Sequence, residues 1–236
     1  MNTNGQTLLA NHDHWDTTLY GETLLFNLLG KLIYKLPDHE WLQYLSTNEV
    51  FTESPFAVDQ PDVAKGLALI TRWLNRPGGI DRHSMQDLND DNLRLFIGIG
   101  RVPAPVWESV HLSAEHLIFQ EQTMEVRRWY RRFGLEPENL NKEPDDHIAL
   151  EMIFLAHLAN LGVQALQTGN RDECARLLQA QHDFASEHLM KWAFEWCQQV
   201  IENANTDFYQ GIAWLTRGSL IELAALLDLH TPEPVR

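Results

Sequence analysis

The chain has 236 residues and can bury about 70% of the surface its unfolded form exposes, so a core needs no disulfide or metal staple. Its 44% hydrophobic and 22% charged residues exclude the disordered, collagen-like and membrane-embedded classes. A formal net charge of −15 argues against a nucleic-acid partner, because phosphates need clustered Lys and Arg; it suits a basic ligand, or it merely keeps the protein soluble.

The first segment, Met1 to His14, is polar and lacks the basic and apolar regions of a secretory signal, so nothing in it directs export. Asp16 caps the first predicted helix, whose residues Leu24, Leu25, Leu28, Leu29 and Leu32 form a buried stripe before Pro37 breaks it. Pro61 opens a second helix through Leu67, Ile70 and Leu74, and Pro77-Gly78-Gly79 ends it. A short helix from Leu88 to Phe96 precedes the irregular stretch Gly98 to Pro105, which proline keeps out of a helix. Thr123 caps a helix through Arg132, with Gly134 taking the left-handed conformation past its end.

The next helix starts near Pro144 and reaches about Gln167; it is apolar almost all round, which places it at the centre of the core. Glu151, His157 and Asn160 interrupt it, so it does not read as a membrane span. Further helices cover Ala175 to Ala180, Leu189 to Ala204 and Phe208 to Leu227. Alternating strand patterns are nearly absent, and no linker or repeat divides the chain. The expectation is an all-α, single-domain globular helical bundle spanning residues 1–236.

Motifs that carry chemistry are scarce: there is no Walker loop, no H-E-x-x-H and no G-x-S-x-G. Cys174 and Cys197 make no C-x-x-C pair, which points to a reducing compartment. His147 and Glu151 lie one helical turn apart, with Asp146 beside them, so a metal or hydrolytic site is one reading and local hydrogen bonding is the other. Arg127-Arg128 and Arg131-Arg132 read as a solvated face paired with Glu121 and Glu125. Trp129, Trp192, Trp196 and Trp214 read as packing residues.

Two segments carry a family likeness. Glu143-Pro144-Asp145-Asp146-His147 resembles the E-P-x-D-H signature of the TorD/DmsD family of redox enzyme maturation chaperones. Upstream, Leu95-Phe96-Ile97-Gly98, then Pro103-Ala104-Pro105-Val106-Trp107-Glu108-Ser109-Val110, is similar to that family's L-F-x-G segment and proline-rich W-x-S-V loop. His188, Trp192, Asp207-Phe208-Tyr209 and Leu215-Thr216-Arg217 give a weaker echo, so the resemblance is clearest over residues 93–227. Val106 stands where a second proline is frequent in the family, and Glu108 where a glycine is common.

The resemblance implies a cytoplasmic, all-helical chaperone that is not an enzyme. It would bind the twin-arginine signal peptide of a molybdoenzyme precursor and restrain export until the molybdopterin cofactor is inserted. The implied leader-contact set is Pro105, Trp107, Pro144, Asp146 and His147, with Glu143, Glu151 and Ser109 secondary. Chemistry supports a divided site: carboxylates take guanidinium groups, with Asp146 the first choice, and Phe96, Pro103, Pro105 and Trp107 line an apolar wall for the leader. His147, at an ordinary value of about 6.5, would make binding pH-sensitive. No catalytic residue, metal or cofactor of its own is expected. The expected partner is the leader and apo form of a molybdopterin-containing oxidoreductase, bound by a monomer or a helix-swapped dimer. A metal-binding or hydrolytic enzyme using Asp146, His147 and Glu151, and a chaperone of a non-exported enzyme, are the alternatives.

Overall fold

The computed structural model describes residues 4–98, 102–136 and 143–231. They form an all-α protein: among the described residues there is no β-strand, and extended pairing is limited to an isolated antiparallel bridge between Trp107 and His147. Gly5–Ala10 (α1) is a short helix that hydrophobic periodicity does not predict, capped by the Asn4 side chain and held by buried Leu8 and Leu9. Trp15–Tyr34 (α2) follows, with Asp16 in its first turn and His14, not Asp16, at the cap. Its buried face carries Leu25, Leu29 and Leu32, whereas Leu24 is 46% exposed: it shares the leucine run but lies on the flank that turns to solvent.

His39–Thr47 (α3), capped by Asp38, was not predicted; its nine residues are too few for periodicity to stand out. Pro61–Leu74 (α4) begins with Pro61 in its first turn as expected. Arg82–Asn92 (α5) starts earlier than predicted, at a capping box made by Asp81 and Ser84, and runs into a π-helical turn over Leu93–Ile97. Glu108–Leu112 (α6) and Glu121–Arg132 (α7) come next, and Gly134 takes a φ of +73° just past α7. Thr123 lies inside α7 and is not its cap.

Ile148–Gln167 (α8) begins four residues after Pro144, because the signature segment pairs with the Trp107 loop before the helix starts. By length and composition α8 could cross a membrane, but 67% of its most apolar window is buried inside the protein. Arg171–Glu187 (α9), Ala193–Asn203 (α10) and Asp207–Leu226 (α11) complete the chain, with a 3₁₀ turn at Leu189–Lys191.

Two pairings organise the packing, α2 against α8 and α4 against α11, with α9 covering α8 and α1 lying on α9. The α4–α11 approach is unusually close. A Cβ built on Gly66 would lie 2.7 Å from the Gly211 carbonyl oxygen, and one on Gly211 2.8 Å from that of Gly66. Neither position can carry a side chain without separating the helices. The buried apolar residues of all these elements form one cluster, in which Trp192, Trp196, Phe154 and Phe184 are fully enclosed while Trp129 is partly buried and packed against it.

Candidate functional site

The two motif segments, about forty residues apart in sequence, meet at the start of α8. The Glu108 amide donates to the Asp146 carbonyl at 2.9 Å, and the Ile148 amide donates to the Val106 carbonyl at 2.9 Å. These two bonds make the Trp107–His147 bridge and set the proline-rich loop against the signature.

Asp146 is fully buried, and its oxygens are taken from within the chain. One accepts the Ser109 amide at 2.7 Å, satisfying a free N–H in the first turn of α6, and the other accepts the Thr123 hydroxyl of α7 at 2.7 Å. Asp146 therefore knots α6 and α7 to the entry of α8. Asp146, expected as the guanidinium acceptor, is thus sealed from solvent here, and each of its oxygens already accepts one bond from within the chain.

His147 caps α8: its Nδ1 accepts the Ala149 amide at 3.1 Å, and its ring packs edge-on against Tyr34 and Trp107. Burial pushes its pKa down to about 3. The expectation of a His147 titration near neutrality is thereby overturned, since an enclosed imidazole without an acidic partner resists charging. The unfolded chain takes up this proton from about pH 6.5 downward and the native chain does not until about pH 3, so the contribution of His147 to stability is full above 6.5 and lost as pH falls toward 3. Urea unfolding at a series of pH values below 6.5 should show a loss of up to about 1.4 kcal/mol per pH unit, and His147→Asn, which keeps a capping acceptor, should remove that share of the slope. An unchanged slope in the variant would contradict it.

Asp145 is also fully buried and receives a bidentate pair from Arg127, Nε at 3.0 Å and an Nη at 2.7 Å, while the Tyr130 hydroxyl donates to its carbonyl. Arg127 thus leaves the arginine face on which sequence placed it. Arg128 and Arg131 stay outside, near Glu125 and Glu136. Glu151 accepts the Trp192 indole N–H at 3.4 Å through one oxygen, and the other is buried without a protein partner. Burial, and then the Glu108 and Asp146 carboxylates, raise its pKa well above the ordinary range.

Of the remaining candidates, Ser109, Pro144 and Phe96 are buried, Phe96 stacking on Trp196. Pro103, Pro105, Trp107 and Glu143 keep part of their surface in solvent, and the Tyr34 hydroxyl donates to Glu143 at 2.6 Å. Sequence reasoning overlooked Tyr34, Thr123, Arg127 and Tyr130, which support the site from beneath. It also overlooked Leu112, Leu117, Ile118, Phe119 and Met124, large apolar side chains left exposed around the α6–α7 connection. A run of hydrophobic residues in a connection was the available signal. As for metal, Asp146, His147 Nδ1 and one Glu151 oxygen bond to separate partners, and among the described residues no three His, Cys, Asp or Glu side chains are grouped to hold an ion.

The family model described as nitrate reductase delta subunit matches residues 58–198, a span that contains both segments of the bridge. The Tat proofreading chaperone DmsD of Salmonella typhi is 32% identical over 201 residues, covering 85% of this chain and 87% of that protein. The probable Tat proofreading chaperone DmsD of Haemophilus influenzae is 29% identical over 153 residues, 65% of this chain and 68% of the relative. A chaperone protein TorD of Vibrio cholerae is 31% identical over 166 residues, 70% and 72% of the two chains. The chain belongs to the TorD/DmsD family of redox enzyme maturation chaperones.

Proposed function

We propose that this protein is a single-domain chaperone that binds the twin-arginine leader of a molybdoenzyme precursor in the cytoplasm, as a monomer, and holds the apo form until its molybdopterin is inserted. The observation that carries this reading is the Trp107–His147 bridge, which joins the two segments bearing the family's motifs into one site with a partly exposed indole. The names of the relatives, as Tat proofreading chaperones, supply the class of ligand.

In this reading the site has two layers. Asp146, His147, Ser109, Glu151, Pro144 and Phe96 shape it from within, and Pro103, Pro105, Trp107 and Glu143 present surface to the leader. The apolar part of a leader gains from covering exposed hydrophobic surface, which the α6–α7 connection adds through Leu117, Ile118 and Phe119. Its arginines gain from carboxylates that are still open to solvent, so Glu143 takes the role sequence gave to Asp146, within a field set by a net charge of −15.

The test is calorimetric titration with a synthetic peptide of two adjacent arginines followed by an apolar stretch of about twelve residues. Binding is expected, weakened about tenfold or more by Trp107→Ala, which removes a large aromatic anchor. Equal affinity for a peptide with both arginines replaced by glutamine would sink the twin-arginine reading.

A further inference from the structure

Glu108 makes a buried pair with His188. Both carboxylate oxygens of Glu108 lie within 3.0–3.1 Å of His188 Nδ1, and the two side chains are only 1% and 3% exposed. Glu108 is the first residue of α6, directly after Trp107. His188 is the C-cap of α9, its backbone amide donating to the Phe184 carbonyl. The pair therefore bolts the loop that carries Trp107 to an element eighty residues away, independently of the bridge to His147.

We infer that Glu108 and His188 form a positioning clasp, which holds the start of α6, and with it the Trp107 indole, in the geometry that receives the leader's apolar segment. The inference rests on the leader-binding reading above. It also gives leader affinity a dependence on the charge state of this pair.

The surroundings decide the direction. Glu108 is faced by His188, by Asp146 at the entry of α8, by Glu151 on α8, by Tyr130 on α7 and by Lys191 in the 3₁₀ turn. Burial raises its pKa, His188 opposes that rise, Asp146 adds to it and Lys191 opposes it, with burial the largest influence. His188 in addition lines a cleft with Glu125, Arg128 and Arg132 of α7 and Asp183, Glu187 and Lys191. Glu108 accordingly takes up a proton at higher pH than an exposed carboxylate does. Once it is neutral, the charge-assisted bond to His188 becomes an ordinary one and the loop loosens.

Two measurements test the clasp. The first is affinity for the synthetic twin-arginine peptide as the pH is lowered from neutrality to the point at which the native helical signal begins to fall. The second, which needs no ligand, is the indole N–H resonance of Trp107, assigned with Trp107→Phe and followed over the same range. For the native chain, affinity is expected to fall on acidification and the Trp107 resonance to move with the same midpoint. Glu108→Gln and His188→Gln should each lower affinity about tenfold at the upper pH and flatten both profiles, and the double variant should cost no more than either single change. A Trp107 resonance and an affinity profile indifferent to Glu108→Gln overturn the clasp; should that variant fail to fold, a pH-invariant Trp107 resonance in the native chain does so. If the peptide binds at no pH while the resonance still moves, the leader-binding reading fails and the positioning of Trp107 by the pair stands.

Discussion

Replacing Asp146 with alanine is expected to destabilise the protein by about 3–5 kcal/mol, since two donors lose a charged acceptor at once. The Ser109 amide and the Thr123 hydroxyl both end on this carboxylate, at 2.7 Å each, and neither site is open to water. A bond to a charged group contributes about 1.5–3 kcal/mol, and a buried donor left without a partner carries its full desolvation cost. Asp146→Asn should fall between, because an amide oxygen can serve one donor while its NH₂ opposes the other. Urea unfolding followed by helical circular dichroism measures both variants. A loss under about 1 kcal/mol for the alanine variant, with leader affinity abolished, would return Asp146 to the role of a direct ligand contact.

Arg127→Met is expected to cost about 3–5 kcal/mol, because it strips a fully buried Asp145 of its bidentate partner and leaves a carboxylate facing no counter-charge. The companion Arg127→Met, Asp145→Asn protein should recover much of this, as removing both charges also removes the desolvation cost of each. Arg128→Ala and Arg131→Ala serve as controls. Their pairs, with Glu125 at 3.6 Å and Glu136 at 3.2 Å, are solvent-exposed, and each should change stability by no more than about 0.5 kcal/mol. Equal losses at Arg127 and Arg128 would contradict the burial assigned to the former.

These three arginines illustrate why part of the site escaped sequence reasoning. Their spacing gives which residues share a helix face, but the partner of Arg127 lies on another segment, and nothing local distinguishes it from Arg128 or Arg131. Asp146 was legible as an important residue, but its partners within the chain were not. A carboxylate ahead of an apolar helix reads as a cap or a ligand group, and in the fold it caps a different helix, α6, while His147 caps its own. Glu108 was visible as a carboxylate beside Trp107, but its meaning depends on His188, eighty residues onward.

The sequence by itself determined the all-α class, the positions of α4, α7, α8, α10 and α11 to within a few residues, the middle of the longer α9, and the two motif segments. Those features follow from local rules: periodic apolar residues, proline at helix entries, and glycine beyond helix ends. The tertiary structure decided which side of each motif faces inward. Local rules give a side chain's direction only relative to its own helix, whereas burial is fixed by what packs on top. Here α6 and α7 bond to Asp146, α7 to Asp145 and Trp192 to Glu151, which turns an apparently acidic surface into the interior of the site.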